Sequence, residues 1–255
     1  VKHGRIEAFV VGEGDPPGII HNRMSEKVWR ELVYPSRKKT SVDKERTMKH
    51  DPWAEFRASP YRLSDPKAPT VIGIKASAFK GAMRSAALDL PGTKKAQIGR
   101  LVWVEGDYLP VYGVPQISAM PVRNSDMNHT PDIRFRAIQP EWACRFTVKF
   151  VEPIIRAQTV IRLLAAAGLY IGVGDGRNEK GAMHFGGWRM VEPTDAEFAR
   201  IVKNGGRAPQ LAAMDHPEPY DEETADILSW FDEEVERRQV RGQAAPTAPQ
   251  PASVS

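Results

Sequence analysis

From Glu141 to Val151 the chain reads EWACRFTVKFV, in which Trp142, Cys144, Phe146, Val148 and Phe150 alternate with Ala143, Arg145, Thr147 and Lys149. Successive side chains on a strand point to opposite faces, so this pattern asks for a sheet with one buried and one cationic face. Pro153 ends the segment, because it lacks the N–H that a ladder needs. The rest of the chain must therefore supply neighbouring strands and a layer to cover the apolar face.

Residues 5–11 (RIEAFVV) read as a first strand, closed by the turn-rich GEGDPPG. Ser25 opens a short helix through EKVWRELV, with Val28, Trp29, Leu32 and Val33 on its apolar side. Ser77 is a good N-cap for a helix whose Phe79, Met83, Ala86, Ala87 and Leu90 share a face. GRLVWVEGDYLPVYG predicts two strands forming a hairpin at Gly106-Asp107. No regular period runs from Val114 to Pro140. After Pro153 a helix extends to about Ala167 on Ile161, Leu163, Leu164 and Ala167, with Gly168 as its stop, and a last strand (HFGGWRMV) reaches Val191.

Stripped of insertions at about 12–70 and 114–140, the order is β-α-β-β-α-β. The expected fold is α/β (α+β): a ferredoxin-like or RRM-like antiparallel sheet with large insertions and a C-terminal helix. Helices would cover one face and leave the other free, and many RNA-binding modules use such a free face. At 255 residues with 41% hydrophobic content, the chain can bury an ample core.

The net charge of +4 conceals an asymmetry. Residues 215–236 carry ten acids and no Lys or Arg, whereas residues 1–214 hold 33 Lys+Arg against 22 Asp+Glu, a net of +11. A body this basic suits a polyanionic partner, nucleic acid first. The chain thus divides into a nucleic-acid-binding domain (1–214), an acidic amphipathic helix (215–241) and a tail (242–255) that is disordered by composition. Ile227, Leu228, Phe231 and Val235 share a face of that helix. Two readings stand: it covers a basic groove on its own subunit or a neighbour's, or it is a solvated helix that aids solubility.

Residues 35–69 form a basic insertion without sustained periodicity. Arg37, Lys38, Lys39, Lys44, Arg46, Lys49, Arg57 and Arg62 lie there, with Trp53, Phe56 and Tyr61 among them. These aromatics, with Tyr108 and Tyr112, are candidates for base stacking or for plain packing.

The strongest anion signal is IGIKASAFKGAMR (72–84), where Lys75, Lys80 and Arg84 flank a strand-to-helix junction. Free N–H groups and the positive dipole end at a helix start favour an anion, and the alternative is an ordinary solvated amphipathic helix. Gly172, Gly174, Gly176 and Gly181 lie in GVGDGRNEKG, which has neither P-loop spacing nor a dinucleotide fingerprint. It offers bare amides with Arg177 and Lys180, or it is a connector. His21, with Arg23, is a further possible phosphate contact.

The six histidines are scattered and no Cys/His pair has ligand spacing, so neither a metal nor another cofactor is expected. Asp126, His129 and Asp132 are weak catalytic candidates in a polar loop. The lone Cys144 excludes an internal disulfide, fits a reducing cytoplasmic setting and reads as a core side chain before a catalytic thiol. No apolar run approaches the ~18 residues of a membrane span. The charged N-terminal stretch VKHGRIEAFV does not read as a signal peptide.

The segment ASAFKGAMRSAAL, followed by a glycine-rich loop between the last helix and last strand, resembles the RAMP superfamily. Those proteins are RNA-binding backbone and processing subunits of CRISPR effector complexes, which serve antiviral defence. Ser77, Lys80, Gly81 and Arg84 match the family's Ser-x-x-Lys-Gly-x-x-Arg motif, and Gly172, Gly174, Gly176 and Gly181 roughly match its glycine loop. The chain has Gly73-Ile-Lys-Ala-Ser77 where the family usually shows Pro-Gly-Ser-Ser. The resemblance implies a modified ferredoxin-like domain that touches RNA through the Ser77 helix start, assembles with copies of itself or other subunits, and uses an insertion as a thumb. IIHNRMSEKVWREL, ASAFKGAM, DIRFR and GLYIGVGDGRNEKG are also similar to a group of uncharacterised phage and prophage proteins.

The resulting expectation is a non-catalytic binder of single-stranded RNA or DNA, RNA first, that packs side by side along the strand. Two other classes stand beside it: an endoribonuclease using a loop aspartate, with or without metal, and a phage structural or interaction protein.

Overall fold

The computed structural model describes residues 1–23, 50–123, 131–180 and 183–243. In chain order the strands and helices are β1 (Lys2–Gly12), β2 (Ile19–Ile20), α1 (Pro52–Ala58), β3 (Tyr61–Arg62), β4 (Ile72–Lys75), α2 (Ala76–Ala86), α3 (Lys95–Leu101), β5 (Val102–Val104) and β6 (Tyr108–Tyr112). Then come β7 (Gln116–Arg123), β8 (Pro131–Gln139), β9 (Ala143–Glu152), α4 (Ala157–Tyr170), β10 (Trp188–Val191), α5 (Ala196–Asn204), α6 (Arg207–Asp215) and α7 (Glu222–Gln243).

The main sheet runs β10-β1-β9-β6-β4-β3, with β5 also paired to β9. Its heart is the ferredoxin-like order: the first strand, β1, lies between the last, β10, and the third, β9, and the broken strand β5–β6 lies beyond β9. β1 and β9 pair antiparallel over ten residue pairs, from Lys2↔Glu152 to Val11↔Ala143. Cys144, Phe146, Val148 and Phe150 are buried, as their alternation requires, beneath Phe79 and Met83 of α2 and Leu163, Leu164 and Ala167 of α4. The Phe79 ring lies 4.3 Å from that of Phe146 and 5.1 Å from that of Trp188, joining helix to sheet at the centre of the core.

Several local expectations are corrected. β5 and β6 are not a hairpin: β5 pairs with β9 at 148–150 and β6 pairs with β9 at 143–144, so both run the same way along one neighbour. Gly106, at φ +85°, makes a jog in a single strand, after which β6 also pairs with β4. The stretch from Val114 to Pro140 is not irregular. β7 and β8 pair from Gln116↔Ile138 to Arg123↔Pro131 and form a second sheet with β2. Residues 135–139 are buried on both faces, which removes the period of two. Within the basic insertion, α1 is a regular helix capped by Asp51, whose side chain accepts from the Ala54 N–H at 3.0 Å.

The first core helix begins at Ala76 with Lys75 in the cap position and no side-chain cap bond, so Ser77 is inside it. α4 runs through Gly168 and ends before Gly172, at φ +78°. A Cβ at Gly168 would meet the Trp188 ring at 2.9 Å, so that glycine serves close helix–sheet contact. The expected short helix from Ser25 lies outside the described residues.

The second face of the sheet is not free. α5 covers part of it, burying Phe198 and Ile201 on Val11 and Ala143, with Phe9 and Phe198 edge to face at 5.4 Å. Beyond α5, the cations of this face are matched: Arg145 pairs with Glu7, and Lys149 and Arg5 with Glu105. An open, aromatic-lined RNA platform is therefore absent from the described part of this face.

The acidic helix α7 docks on β7. Leu228 is buried, and the Ala119 N–H donates to Thr224 Oγ1 at 3.1 Å. Phe231 and Val235 are half-buried.

Candidate nucleic-acid interface

The α2 start and the glycine loop, about a hundred residues apart in sequence, face one another across an open cleft of about 580 Å³. Ile20, His21 and Asn22 form a third wall, and Lys95 of α3 a fourth. The lining includes Lys75, Ser77, Gly81, Arg84, Gly174 and Arg177, so six expected contact residues meet in one place. Lys80 stands on α2 outside the lining, and Gly176 lies in the loop behind it. Lys180 is placed by its backbone alone, in the 3₁₀ turn Asn178–Lys180. Lys38, Lys39, Lys44, Arg46, Lys49 and Gly181 lie outside the described residues, as do Asp126 and His129.

Lys75, Arg84 and Lys95 are exposed, and among the described residues none has a carboxylate within ion-pair distance. Lys75 and Lys95 also sit at helix starts that have no acidic residue in the first turn. Placing cations there opposes the helix dipole by roughly 0.3–1 kcal/mol each, which an arriving anion would reverse. Gly81 points the same way. A Cβ there would meet nothing within 4 Å, so no neighbour in the fold requires glycine. A helical glycine costs about 0.8–1 kcal/mol relative to alanine, and here it leaves space in the cleft.

The acids of the glycine loop are engaged. Asp175 pairs with Arg136, which burial and nearby Arg134 lower from 12.5 to about 10, so the guanidinium stays charged at neutral pH. Glu179 accepts from Arg177 Nε at 3.0 Å and from Ser85 Oγ at 2.6 Å. The loop is a fixed wall and not a loose connector. The Asp175 N–H donates to the Ile20 carbonyl at 2.9 Å, and Gly174, at φ +84°, would bring a Cβ to 2.7 Å from that oxygen.

His21 is not a cationic phosphate contact. It is buried, and desolvation lowers its pKa from 6.5 to about 4, against a smaller opposing effect of its bond to Gln139. The folded value lies below the unfolded one, so the unfolded chain takes up the proton first as pH falls. Stability is thus expected to drop by about 3 kcal/mol between pH 7 and pH 4 on this account. Urea midpoints for the wild type and His21→Phe across that range test it, and equal acid sensitivity of the two would refute it.

Tyr61 closes one end of the cleft and also lines a second groove of about 680 Å³, with Arg23, Arg62, Lys67 and Tyr108. The Tyr61 and Tyr108 rings lie 5.4 Å apart, and Lys75 Nζ is 5.1 Å from the Tyr61 centroid. Of the other aromatic candidates, Phe56 is fully buried, Trp53 packs on the core and Tyr112 packs beside α5.

Asp132 is elsewhere. Its carboxylate meets His50 Nε2 at 2.9 Å, while His50 Nδ1 meets Glu55 at 2.9 Å, tying α1 to β8. No His/Cys/Asp/Glu group among the described residues could hold a metal ion. Cys144 is buried with its thiol pKa pushed up by desolvation, which leaves no reactive thiolate. No helix among the described residues is long and apolar enough to cross a membrane.

No family model matches the chain. No curated protein matches it either.

Two contributors carried no sequence signal. Lys95 is one lysine among surface charges until α3 is placed beside α2. Gln210 of α6 is a lone polar residue in a segment with no assigned element, yet it is fully buried. Its Oε1 accepts from the N–H groups of Val71 and Ile72 at 2.8 and 2.9 Å, which fixes the approach to β4.

Proposed function

We propose that this chain binds single-stranded nucleic acid, with backbone phosphates in the α2 cleft and bases against Tyr61 and Tyr108. The observation that carries the reading is the convergence of Lys75, Arg84 and Lys95, each without an acidic partner among the described residues, on one open cleft beside a rigid glycine loop. Elsewhere on the sheet the cations are matched with acids, so the imbalance at the cleft is local. A chain of phosphates answers such a site better than one small anion, because the second groove continues past Tyr61 with three more cations. Stacking on exposed tyrosines contributes ~1–3 kcal/mol per base without demanding a sequence. The ferredoxin-like strand order and the meeting of the Ser77 helix with the glycine loop support the RAMP-like reading, including assembly of copies along a strand.

Anisotropy titration of labelled RNA and single-stranded DNA tests this. Three phosphate contacts give a log–log salt slope of about −2 for a single strand, and all six cations about −4. Absence of binding at 50 mM salt, or binding indifferent to salt, would remove the proposal.

A further inference from the structure

The cleft contains one polar group that phosphate chemistry does not use. His21 is 4% exposed and lines the cleft floor. Its ring orientation is fixed from behind through Gln139, which is fully buried. Gln139 Nε2 donates to the Gly113 carbonyl at 2.7 Å, so its Oε1 must face His21. That oxygen lies 2.8 Å from His21 Nε2 and can only accept, so the proton sits on Nε2 and Nδ1 is left as a bare acceptor. The reverse amide orientation would set Gln139 Oε1 against the Gly113 oxygen, which Gln210 Nε2 also approaches at 3.0 Å.

Nδ1 has no hydrogen-bond partner among the described residues. Nor is it sealed away. Among the described residues, only Glu105 Oε1 and Trp188 Nε1 are enclosed side-chain atoms lacking such a partner. Nδ1 therefore reaches open space, and the open space at His21 is the cleft. A neutral acceptor among cations repays a neutral donor: a hydroxyl or an amine, not a phosphate oxygen. Beside a phosphate track the nearest such donor is the sugar, since bases project away from the backbone toward the tyrosines.

We propose that His21 Nδ1 accepts a hydrogen bond from a ribose 2′-hydroxyl, making this cleft selective for RNA over DNA. The inference rests on the nucleic-acid reading above, and its failure is separable from the failure of that reading. His21 is here a specificity residue of a binding site, and no covalent step is involved.

The test compares three probes on the full chain: oligouridylate, its 2′-deoxy counterpart and its 2′-O-methyl counterpart, at one salt concentration. One lost hydrogen bond with an unsatisfied acceptor corresponds to about a tenfold change in affinity. Oligouridylate is expected to bind about tenfold tighter than either analogue. The 2′-O-methyl probe matters because it keeps the RNA-like sugar but has no donor, so equal binding of the methylated and unmodified strands would overturn the proposal. Equal, salt-sensitive binding of all three would also overturn it and leave the phosphate cleft standing. Binding of none would remove both. His21→Phe is expected to bring RNA down to the DNA level with the salt slope unchanged. Should that variant fold poorly, a ¹⁵N-resolved histidine spectrum of the wild type decides the premise: an Nε2–H tautomer supports it, and an Nδ1–H tautomer overturns it.

Discussion

Replacing Lys75, Arg84 and Lys95 together by alanine is expected to weaken single-strand binding on the order of 10³-fold at 50 mM salt. The figure takes about 1.5 kcal/mol for each charge-assisted contact. The salt slope should become shallower by about 2, because three fewer counterions are released. Folding should be unaffected. All three side chains are exposed and none is ion-paired among the described residues, so their removal breaks no internal contact between charges. The matched control removes three exposed cations outside the cleft, Arg162, Arg200 and Lys203. If both triple variants lose the same affinity, binding follows overall charge and the cleft has no special place in it.

The second large effect concerns stability. Gln210→Leu is expected to cost about 3–5 kcal/mol, read as a shift in the urea midpoint at constant slope. Gln210 Oε1 satisfies two buried N–H groups, and its Nε2 lies within 2.8–3.0 Å of the carbonyls of Val111, Gly113 and Gly205. An amide has two N–H bonds, so at least one of those three contacts is shared. Leucine fills similar volume but leaves both strand N–H groups without a partner inside the protein. A loss below about 1 kcal/mol would mean that water or a local shift satisfies them.

These expectations also show what was legible in the residues. The strand at 143–152 was plain, because one face is apolar and the other polar over its whole length. β8 was not, because Phe135 to Gln139 are buried on both faces and Arg136 and Gln139 are satisfied only by groups distant in sequence. The jog at Gly106 looked like a hairpin, since glycine at positive φ serves both, and only pairing with β9 separates them. At the site, Lys75, Ser77, Gly81 and Arg84 could be chosen from a cationic strand-to-helix junction. Arg177 could be chosen from the glycine loop. That the two would form opposite walls follows from the crossover of the strands, which spacing does not encode. His21 was noticed for the wrong chemistry: burial makes it neutral, and burial is a property of the fold. The acidic segment was visible as charge, but no residue of it lines the α2 cleft, and α7 is seated on β7 of its own chain. Covering of that cleft by its own acidic helix is thereby corrected.

The position of β1 bears on how the molecule comes into being. Its ladder partners are residues 143–152 and 188–191, so the central strand is made first and completed last. At ~5–20 residues per second of synthesis, its two edges wait on the order of ten seconds or longer before either partner exists. During that interval an apolar strand with unpaired N–H and C=O groups must stay unattached, and sequence-distant pairing of this kind also slows folding itself. Arg5 and Glu7, on the polar side of β1, place charge in the middle of that waiting strand, where it discourages pairing with another chain. The same topology makes the fold all-or-none with respect to length, since a product ending before Val191 lacks one whole side of its central strand.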